Sequence, residues 1–266
     1  MIVEALLANA AILLGLVLIL WVISLQINDV SFIDSFWGAG MAVLAFVSWM
    51  QLAEPGPLAT LLMAMAVIWG LRLGIYLFRR WRREGEDPRY ERMLRKDREK
   101  GRWGLAALTK VFLGQAVLLY IVCSPAQYGI LEAGSLEPIS GLALVGLALW
   151  AIGIFFEWVG DWQLSRFKAK RTDKTEVLDT GLWRYTRHPN YFGDACVWWG
   201  IWIAAASAGW WVAAWTIVGP LFLTFTLMKW SGAALLEKGL DHSKGDKYAD
   251  YKKRVSPFFP RPPKKA

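Results

Sequence analysis

Long apolar runs alternate with short polar or basic segments along the whole chain. Seven of these runs come close to the roughly 20 residues that a helix needs to cross the hydrocarbon core of a bilayer. They are Ala5–Leu25, Ile33–Ala53, Leu58–Phe78, Leu105–Cys123, Pro138–Trp158, Tyr191–Ser207 and Trp210–Met228. The pattern therefore predicts an all-α integral membrane bundle of about seven transmembrane helices. The first run has no basic segment before it and no small-residue cleavage site, so we expect it to be a retained helix.

Lysine and arginine are concentrated in particular connecting segments. Residues 79–102 carry eleven of them, residues 163–190 carry seven and the tail from Lys229 carries ten, whereas residues 54–57, 124–137 and 208–209 carry none. Because basic loops stay on the cytoplasmic side of a membrane, seven spans put the N-terminus outside and the C-terminus in the cytoplasm. The same rule explains the net charge of +8 without a nucleic-acid partner.

Two of the basic segments carry further structural signals. We expect residues 79–102 to form a charged helix or hairpin on the membrane surface. The end of the tail, from Ser256 onward, is too rich in proline for a helix and is expected to be extended.

The composition argues against a soluble domain and against a metal site. Apolar residues make up 56% of the 266 positions, and a soluble domain of this size would need a more polar surface. The two cysteines, Cys123 and Cys196, have neither a metal-ligand spacing nor a disulfide framework. With no His-x-x-x-His pair in the sequence, we expect no metal ion.

Ionisable residues inside the predicted spans are candidates for a site, because charge is costly there without a partner. Asp34 begins the second span, and Arg72 lies in the third span with Tyr76 four residues later on the same helical face. Glu157 and Asp161 are four residues apart at the end of the fifth span. The acids can also be interfacial residues that reach water. Arg72 lies deeper and is expected to need an anion, either Asp34 or a bound phosphate.

The loop before the sixth span, GLWRYTRHPNYFGD at residues 181–194, carries the densest functional signal. Pro189 suits the first turn of a helix, whose N-terminus presents free N–H groups and the positive end of its dipole. Many basic side chains that can bind phosphate lie near this point of the sequence. They are Arg166, Lys168, Lys170, Arg171, Arg184, Arg187 and His188.

The same loop offers aromatic and amide groups for a nucleotide. Trp183, Tyr185 and Tyr191 have flat faces on which a purine or nicotinamide ring can stack, and Asn190 and Asp194 can bond ribose hydroxyls or an amide. The sequence contains no Gly-x-Gly-x-x-Gly motif after a strand and no P-loop. A nucleotide would therefore be held by membrane helices and their loops.

This loop, the segment DVSFIDSFWG at residues 29–38 and the tail EKGLDHSKGDKYADYKKRVSPFFPRPPK at residues 237–264 resemble the bacterial membrane proteins related to steroid 5-alpha-reductase. The resemblance covers almost the whole chain. It implies an enzyme of seven to ten helices in a bacterial inner membrane, with an NADPH site that faces the cytoplasm. The implied reaction transfers a hydride to the β-carbon of a membrane-soluble, steroid- or sterol-like enone, while an acid polarises the carbonyl oxygen.

The resemblance also implies roles for individual residues. Asp34 matches the catalytic glutamate of the steroid reductases, and it would need an apolar surrounding to be protonated. Trp69 stands where those enzymes have a tyrosine, which leaves the 3-oxo-steroid substrate open and makes Tyr76 a substitute proton donor. The implied NADPH-binding residues are Arg72, Asp161, Arg166, Lys170, Tyr185, Arg187, His188, Asn190, Tyr191, Asp194, Glu237, Tyr248 and Tyr251.

These assignments predict a single membrane domain over residues 1–266. Residues 1–104 would form its substrate and catalytic half, and residues 105–266 its cofactor-binding half. We expect the partners to be membrane lipids and a lipid-soluble substrate, with the chain a monomer or a weak homo-oligomer.

Two other functions stay open. Methyltransferases of the isoprenylcysteine or phospholipid type share an Arg–His–Pro–x–Tyr loop and a late glutamate, with which they hold S-adenosylmethionine. The seven spans, the clusters at Asp34 and Arg72 and the many basic residues favour the reductase. A transporter or lipid-binding protein would need buried charges along a path to both membrane faces, whereas the polar groups here gather on the cytoplasmic half.

Overall fold

The computed structural model describes residues 1–173, 175–230 and 232–264, and its regular structure is helical. No strand occurs in these ranges, where Thr186 and Ser256 form an isolated parallel bridge. The helices are α1 (Ile2–Ile27), α2 (Ile33–Met50), α3 (Pro57–Glu84), α4 (Pro88–Glu99), α5 (Trp103–Val122), α6 (Ser124–Ala133), α7 (Gly141–Lys170), α8 (Pro189–Ala205), α9 (Trp210–Trp230), α10 (Ala233–Lys244) and α11 (Asp246–Arg254).

The helix lengths confirm the all-α membrane architecture. Among the described residues, six helices are long and apolar enough to cross a membrane, namely α1, α2, α3, α5, α7 and α9. The remaining predicted span, Tyr191–Ser207, corresponds to α8, which has 17 residues. At about 1.5 Å per residue, α8 is roughly 25 Å long, slightly less than the hydrocarbon core. The placing of the two termini outside and inside the cell stays a prediction.

The described chain divides into two compact units. The first consists of Met1–Ala143 with Ile201–Gly219, and the second of Leu144–Gly200 with Pro220–Ala266. The sequence predicted a single domain whose two halves meet at residues 104 and 105, so the bounds of the compact units differ from those of the predicted halves.

In the first unit, glycines allow α2 and α3 to pack closely. A Cβ atom on Gly70 would lie 2.3 Å from the carbonyl oxygen of Gly38, a distance that no real side chain tolerates. Small residues at such crossings bring backbones into contact in a membrane, where burial of apolar surface drives association little.

Polar side chains tie α1 to the rest of the first unit. Asn9 is buried, and its Nδ2 donates to Oγ of Ser48 at 2.7 Å and to Oε1 of Gln127 at 2.9 Å. Its Oδ1 accepts a 2.8 Å hydrogen bond from Nε2 of Gln51. These bonds satisfy the amide of Asn9 on both sides and link α1 with α2, with the residue after α2 and with α6.

Residues 124–137, expected to be a loop, contain the helix α6. Its residues Ala126, Gln127 and Ile130 are fully buried. A helix of ten residues is too short to cross a bilayer, so a pattern of span-length apolar runs does not detect it.

In the second unit, α7 and α8 also meet at glycines. A Cβ atom on Gly153 would lie 2.6 Å from the carbonyl oxygen of Gly193. One on Gly160 would lie 3.3 Å from the backbone nitrogen of Asn190. The N-terminus of α8 therefore packs against α7. This packing fixes the position of the loop at residues 181–194, which carries the strongest sequence signal.

Candidate functional site

Two polar clusters of the described residues contain predicted site residues, one in each unit. The first, the Asp34 cluster, consists of Asp34, Arg80, Asp87, Arg89 and Tyr90. Oδ2 of Asp34 accepts a 2.7 Å bond from Nη2 of Arg89, and Oδ1 accepts a 2.6 Å bond from the hydroxyl of Tyr90. Nη2 of Arg80 lies 4.0 Å from Oδ2. Two arginines and a phenol therefore surround Asp34, and this is not the apolar surrounding that a role as an acid would need.

Of this cluster, sequence reasoning named Asp34 alone, and Tyr90 is the most deeply buried of the residues that it missed. It is buried, and its hydroxyl also accepts a 3.0 Å bond from Nε2 of Gln115. Burial, together with the charge of Asp34 and the hydrogen bond to it, raises the pKa of Tyr90 well above its ordinary value. The phenol thus stays a hydrogen-bond donor at physiological pH. Its signal in the sequence was the pair Tyr90 and Leu94 at helical spacing in an otherwise charged segment.

Capping and side-chain bonds hold α4, the helix that carries Arg89 and Tyr90. Asp87 caps its N-terminus by accepting a 2.8 Å bond from the backbone N–H of Arg89, and donates its own N–H to Oγ of Ser31 at 2.7 Å. Nη2 of Arg98, in the last turn, donates to the carbonyl oxygen of Asn28 at 3.1 Å. Of the helix or hairpin predicted for residues 79–102, the structure has a helix, and it is fixed to the segment before α2.

Arg72 and Tyr76 share a face of α3, as their spacing predicts. Arg72 is buried, and its guanidinium carbon lies 5.5 Å from the centre of the Tyr76 ring. This distance is that of a cation–π contact. Asp34, one of the two anions expected for Arg72, is bound by Arg89 and Tyr90.

In the second unit, the loop that begins at Gly181 is anchored on α7. Gly181 has a φ of +61°, and a side chain there would collide with Gln163. Oε1 of Gln163 accepts a 3.0 Å bond from the N–H of Leu182, and Nε1 of Trp183 donates to the carbonyl oxygen of Gly160 at 3.1 Å. Helix α8 then begins at Pro189, as predicted.

The second cluster, the His188 cluster, consists of Arg187, His188 and Glu237. Nε2 of His188 and Nε of Arg187 each lie 3.0 Å from Oε1 of Glu237. Burial opposes ionisation of Glu237, but the bond from His188 and the charges of Arg187, His188 and Lys252 outweigh it and lower its pKa. The His188 ring is buried and stacks on Tyr191, with ring centres 5.4 Å apart and planes 8° apart.

Two more predicted residues meet beside this cluster. Nδ2 of Asn190 donates to Oδ1 of Asp161 at 3.0 Å, and Asp161 is buried in α7. Asp194 lies one turn further along α8 and is half-buried. The structure therefore brings the Asn190 amide and the Asp161 carboxylate together at the start of α8.

Positive charge lies on the exposed end of α7. Arg166, Lys168 and Lys170 are exposed, and the guanidinium of Arg166 lies 5.4 Å from the centre of the Trp162 ring. Tyr185, in the loop, is also exposed. These cations are free to meet an anionic ligand, in contrast to Arg187, whose charge is paired with Glu237.

The tail passes beside the loop and is bonded to it. The hydroxyl of Thr186 donates to the carbonyl oxygen of Phe258 at 2.7 Å. The backbone N–H of Arg187 donates to the carbonyl oxygen of Ser256 at 2.9 Å. The N–H of Arg261 donates to the carbonyl oxygen of Tyr185 at 2.9 Å. Residues 256–264, the described end of the tail, contain no helix, as predicted. The bonds make this segment a strap across the loop that carries His188.

The two tail tyrosines predicted to bind cofactor differ in their surroundings. Tyr251 is buried and its hydroxyl donates to the carbonyl oxygen of Trp183 at 2.6 Å, which gives it a role in holding the loop. Tyr248 is buried beside it, and burial raises the pKa of both phenols. The Tyr248 hydroxyl has no hydrogen-bond partner among the described residues.

The residues of the second unit fit a phosphate-bearing nucleotide. Nδ1 of His188, like the hydroxyl of Tyr248, is buried without a hydrogen-bond partner in the described part of the chain. Since buried polar atoms are nearly always bonded, these two atoms suit a bound polar group. The exposed cations at the end of α7 supply charge for phosphates. Within the described residues there is no group of histidine, cysteine and carboxylate side chains suited to a metal ion.

Comparison with known proteins identifies a family and a distant relative of this chain. The family described as "Protein of unknown function (DUF1295)" matches residues 20–255. An uncharacterized protein of Schizosaccharomyces pombe is 25% identical over 266 residues, which cover 91% of this chain and 76% of that protein. No solved structure matches the chain.

Steroid dehydrogenases match a smaller part of the chain. The 3-oxo-5-alpha-steroid 4-dehydrogenase 1 of Bos taurus is 28% identical over 116 residues, 44% of this chain and 42% of that enzyme. The Homo sapiens enzyme of the same name is 26% identical over 116 residues, 44% of this chain and 41% of that enzyme. The matched segment thus spans less than half the length of each of these enzymes. Together with the six apolar helices, the comparisons identify a multi-pass membrane protein with distant similarity to an oxidoreductase.

Proposed function

The chain belongs to the DUF1295 family, a steroid 5-alpha-reductase-like family of membrane proteins, and on this premise we propose that it is an NADPH-dependent reductase. The proposed substrate is an activated C=C bond, conjugated to a carbonyl group, in a membrane-soluble steroid- or sterol-like lipid. The proposed membrane is the inner membrane of a bacterium, with the nucleotide site facing the cytoplasm.

The observation that carries the proposal is the positive charge at the end of α7. Arg166, Lys168 and Lys170 are exposed in the unit that contains the His188 cluster. NADPH carries a pyrophosphate and a 2′-phosphate, and arginine and lysine are the usual partners of phosphate oxygens. S-adenosylmethionine carries a positive sulfonium and has no phosphate, so the same surface does not favour it.

The state of Glu237 argues in the same direction. In a methyltransferase the late glutamate would hold S-adenosylmethionine, whereas here Glu237 is paired with Arg187 and hydrogen-bonded to His188, each at 3.0 Å. A carboxylate that already has two cationic or hydrogen-bonding partners has little attraction left for a cationic ligand. We therefore assign Glu237 the task of fixing Arg187 and His188 in place.

The reaction also requires a proton donor for the substrate carbonyl. When bound, NADPH supplies a hydride to the β-carbon, and the carbonyl oxygen takes up the developing negative charge. The hydroxyl of Tyr90 is the proposed donor. Asp34, which the sequence suggested as the acid, is held by Arg80 and Arg89 and would position that hydroxyl, 2.6 Å away. Tyr76 is the donor that the sequence suggested. A proton from solvent then completes the reduction at the α-carbon.

Activity measurements on variants test this assignment. With the protein in lipid nanodiscs, NADPH consumption would be followed for a 3-oxo-4-ene steroid and a polyprenyl enone. We expect Asp34→Asn and Tyr90→Phe to keep NADPH affinity and to lower turnover at least tenfold, while Tyr128→Phe serves as the matched control. Full activity of Tyr90→Phe would show that the donor assignment is wrong, and full activity of Asp34→Asn would show that Asp34 does not position the donor. No NADPH consumption with any enone would count against the proposed substrate class.

A further inference from the structure

Helix α4 has one face turned into the first unit and one turned away from it. Tyr90 and Leu94 are buried on the inner face, whereas Arg92, Arg95 and Lys96 are exposed. The inner face is fixed by the bonds of Tyr90 and Arg89 to Asp34. The outer face has no such role in the reaction proposed above.

The position of α4 along the chain places it at a membrane surface. It joins α3 to α5, two helices that are long and apolar enough to span a membrane. With 12 residues, α4 is too short to cross a bilayer. The ends of α3 and α5 that it joins therefore lie on the same side of the membrane. Phe78 and Leu105, near those ends, are exposed apolar residues that suit contact with lipid tails. The outer face of α4 therefore lies at the depth of the lipid headgroups.

This region carries an excess of exposed positive charge. Eight cationic side chains are exposed against three acidic ones, Glu84, Glu91 and Glu99. The exposed cations, which we call the basic surface, are Arg79, Arg82, Arg83, Arg92, Arg95, Lys96, Lys100 and Arg102.

The other acids of the segment do not neutralise the basic surface. Asp87 is bound to Arg89, Glu86 lies 3.2 Å from Arg98, and Asp97 lies 2.7 Å from Lys110. Within the described residues, Arg83 is the one cation of the basic surface at ion-pair distance from an acid, 3.5 Å from Glu84. The surface thus retains most of its charge for a partner outside the chain.

We propose that the basic surface binds the headgroups of anionic phospholipids in the bilayer that holds the protein. Clusters of lysine and arginine beside a span attract anionic lipids, and several such side chains act together. The proposal does not depend on the reductase activity. It has a consequence for the Asp34 cluster, however, because α4 is bounded by Gly85 and Gly101, both with positive φ and open space around them. Headgroups bound to the outer face would stabilise α4 in the position in which Arg89 and Tyr90 contact Asp34.

Thermal melting in detergent tests the proposal with defined lipids. Phosphatidylglycerol or phosphatidylcholine would be added to the full chain in a neutral detergent. We expect phosphatidylglycerol to raise the melting temperature by several degrees more than phosphatidylcholine. The triple variant Arg92→Gln, Arg95→Gln, Lys96→Gln should lose at least half of that difference. Equal shifts with the two lipids would overturn the proposal.

A matched variant distinguishes an effect of the basic surface from an effect of the protein's net charge. Lys238, Lys247 and Lys253 are exposed elsewhere in the chain, and replacing all three by glutamine removes the same charge. This control should keep the phosphatidylglycerol effect, and an equal loss in both triple variants would overturn the assignment to α4. Inorganic phosphate should have no effect; if it reproduced the shift, the ligand would be free phosphate and not lipid. Native mass spectrometry should find fewer retained anionic lipids on the α4 variant, which gives a readout even if that variant melts early.

Discussion

Nε2 of His188 lies 3.0 Å from Oε1 of Glu237, and this contact joins the loop before α8 to the helix α10. The same carboxylate oxygen lies 3.0 Å from Nε of Arg187. One acidic residue therefore holds two neighbouring residues of the most distinctive sequence motif. Because the contact is charged and partly buried, it makes the stability of the second unit depend on pH.

Glu237→Gln should change the response of the protein to acid. The pKa of Glu237 is lowered from its ordinary value of 4.5, so its ionised form stabilises the folded state above that pH. The stabilisation decreases as the pH falls below 4.5 and is lost below the lowered pKa. Melting curves should show wild type more stable than Glu237→Gln near neutral pH, with a difference that shrinks below pH 4.5. Glu99→Gln, on an exposed residue, should match wild type, and a constant difference at all pH values would contradict this account.

Thr186→Val should loosen the strap between the tail and the loop. The Thr186 hydroxyl is buried and donates to the carbonyl oxygen of Phe258 at 2.7 Å. Loss of a donor that leaves a buried acceptor unbonded costs about 1–3 kcal/mol. We expect a lower melting temperature and faster hydrogen exchange at the amides of Arg187 and Arg261. Thr180→Val, on an exposed residue, is the control, and unchanged exchange in Thr186→Val would mean that the hydroxyl does not hold the tail.

Asn9→Leu tests the polar ties of α1. The variant keeps a side chain of similar size but removes the bonds to Ser48, Gln127 and Gln51. Hydrogen bonds between membrane helices contribute about 0.6 kcal/mol each on average, so the loss should be about 2 kcal/mol in the free energy of unfolding. Unfolding in denaturing detergent measures it. Gln26→Leu, on the exposed face of α1, should cost much less, and equal stability of both variants would contradict the proposed tie.

The membrane helices were predictable because length and apolarity are local properties of a sequence. The ends of the helices were less predictable. Helix α3 continues past Phe78 to Glu84, because arginine is a good helix former and the basic residues after Phe78 extend the helix beyond the apolar run. The apolar pattern marks where the lipid contact stops, and not where the helix stops. For the same reason it gave no sign of α6, which is buried in protein and short.

The residues of the His188 cluster were predictable from the sequence, but the pairs that the site residues form were not. Pro189 marked the start of α8 through a local rule, and Asn190 and Asp161 were both named in advance. The partners of Asp34 could not be read from its neighbours, because Arg89 and Tyr90 are 55 and 56 residues away in the chain. The strap was hidden too, since its bonds at Ser256, Phe258 and Arg261 use backbone groups that every sequence possesses.

A ligand titration tests the central claim, that the second unit binds NADPH, most directly. The quenching of tryptophan fluorescence would be followed as NADPH, NADH or S-adenosylmethionine is added to the protein in nanodiscs. The account predicts saturable binding of NADPH and no response to S-adenosylmethionine. It also predicts that the double variant Arg166→Gln, Lys170→Gln binds NADPH about tenfold more weakly, about 1.4 kcal/mol, while Lys238→Gln, Lys253→Gln does not. Tight binding of S-adenosylmethionine without any response to NADPH would contradict the account and make the protein a candidate methyltransferase.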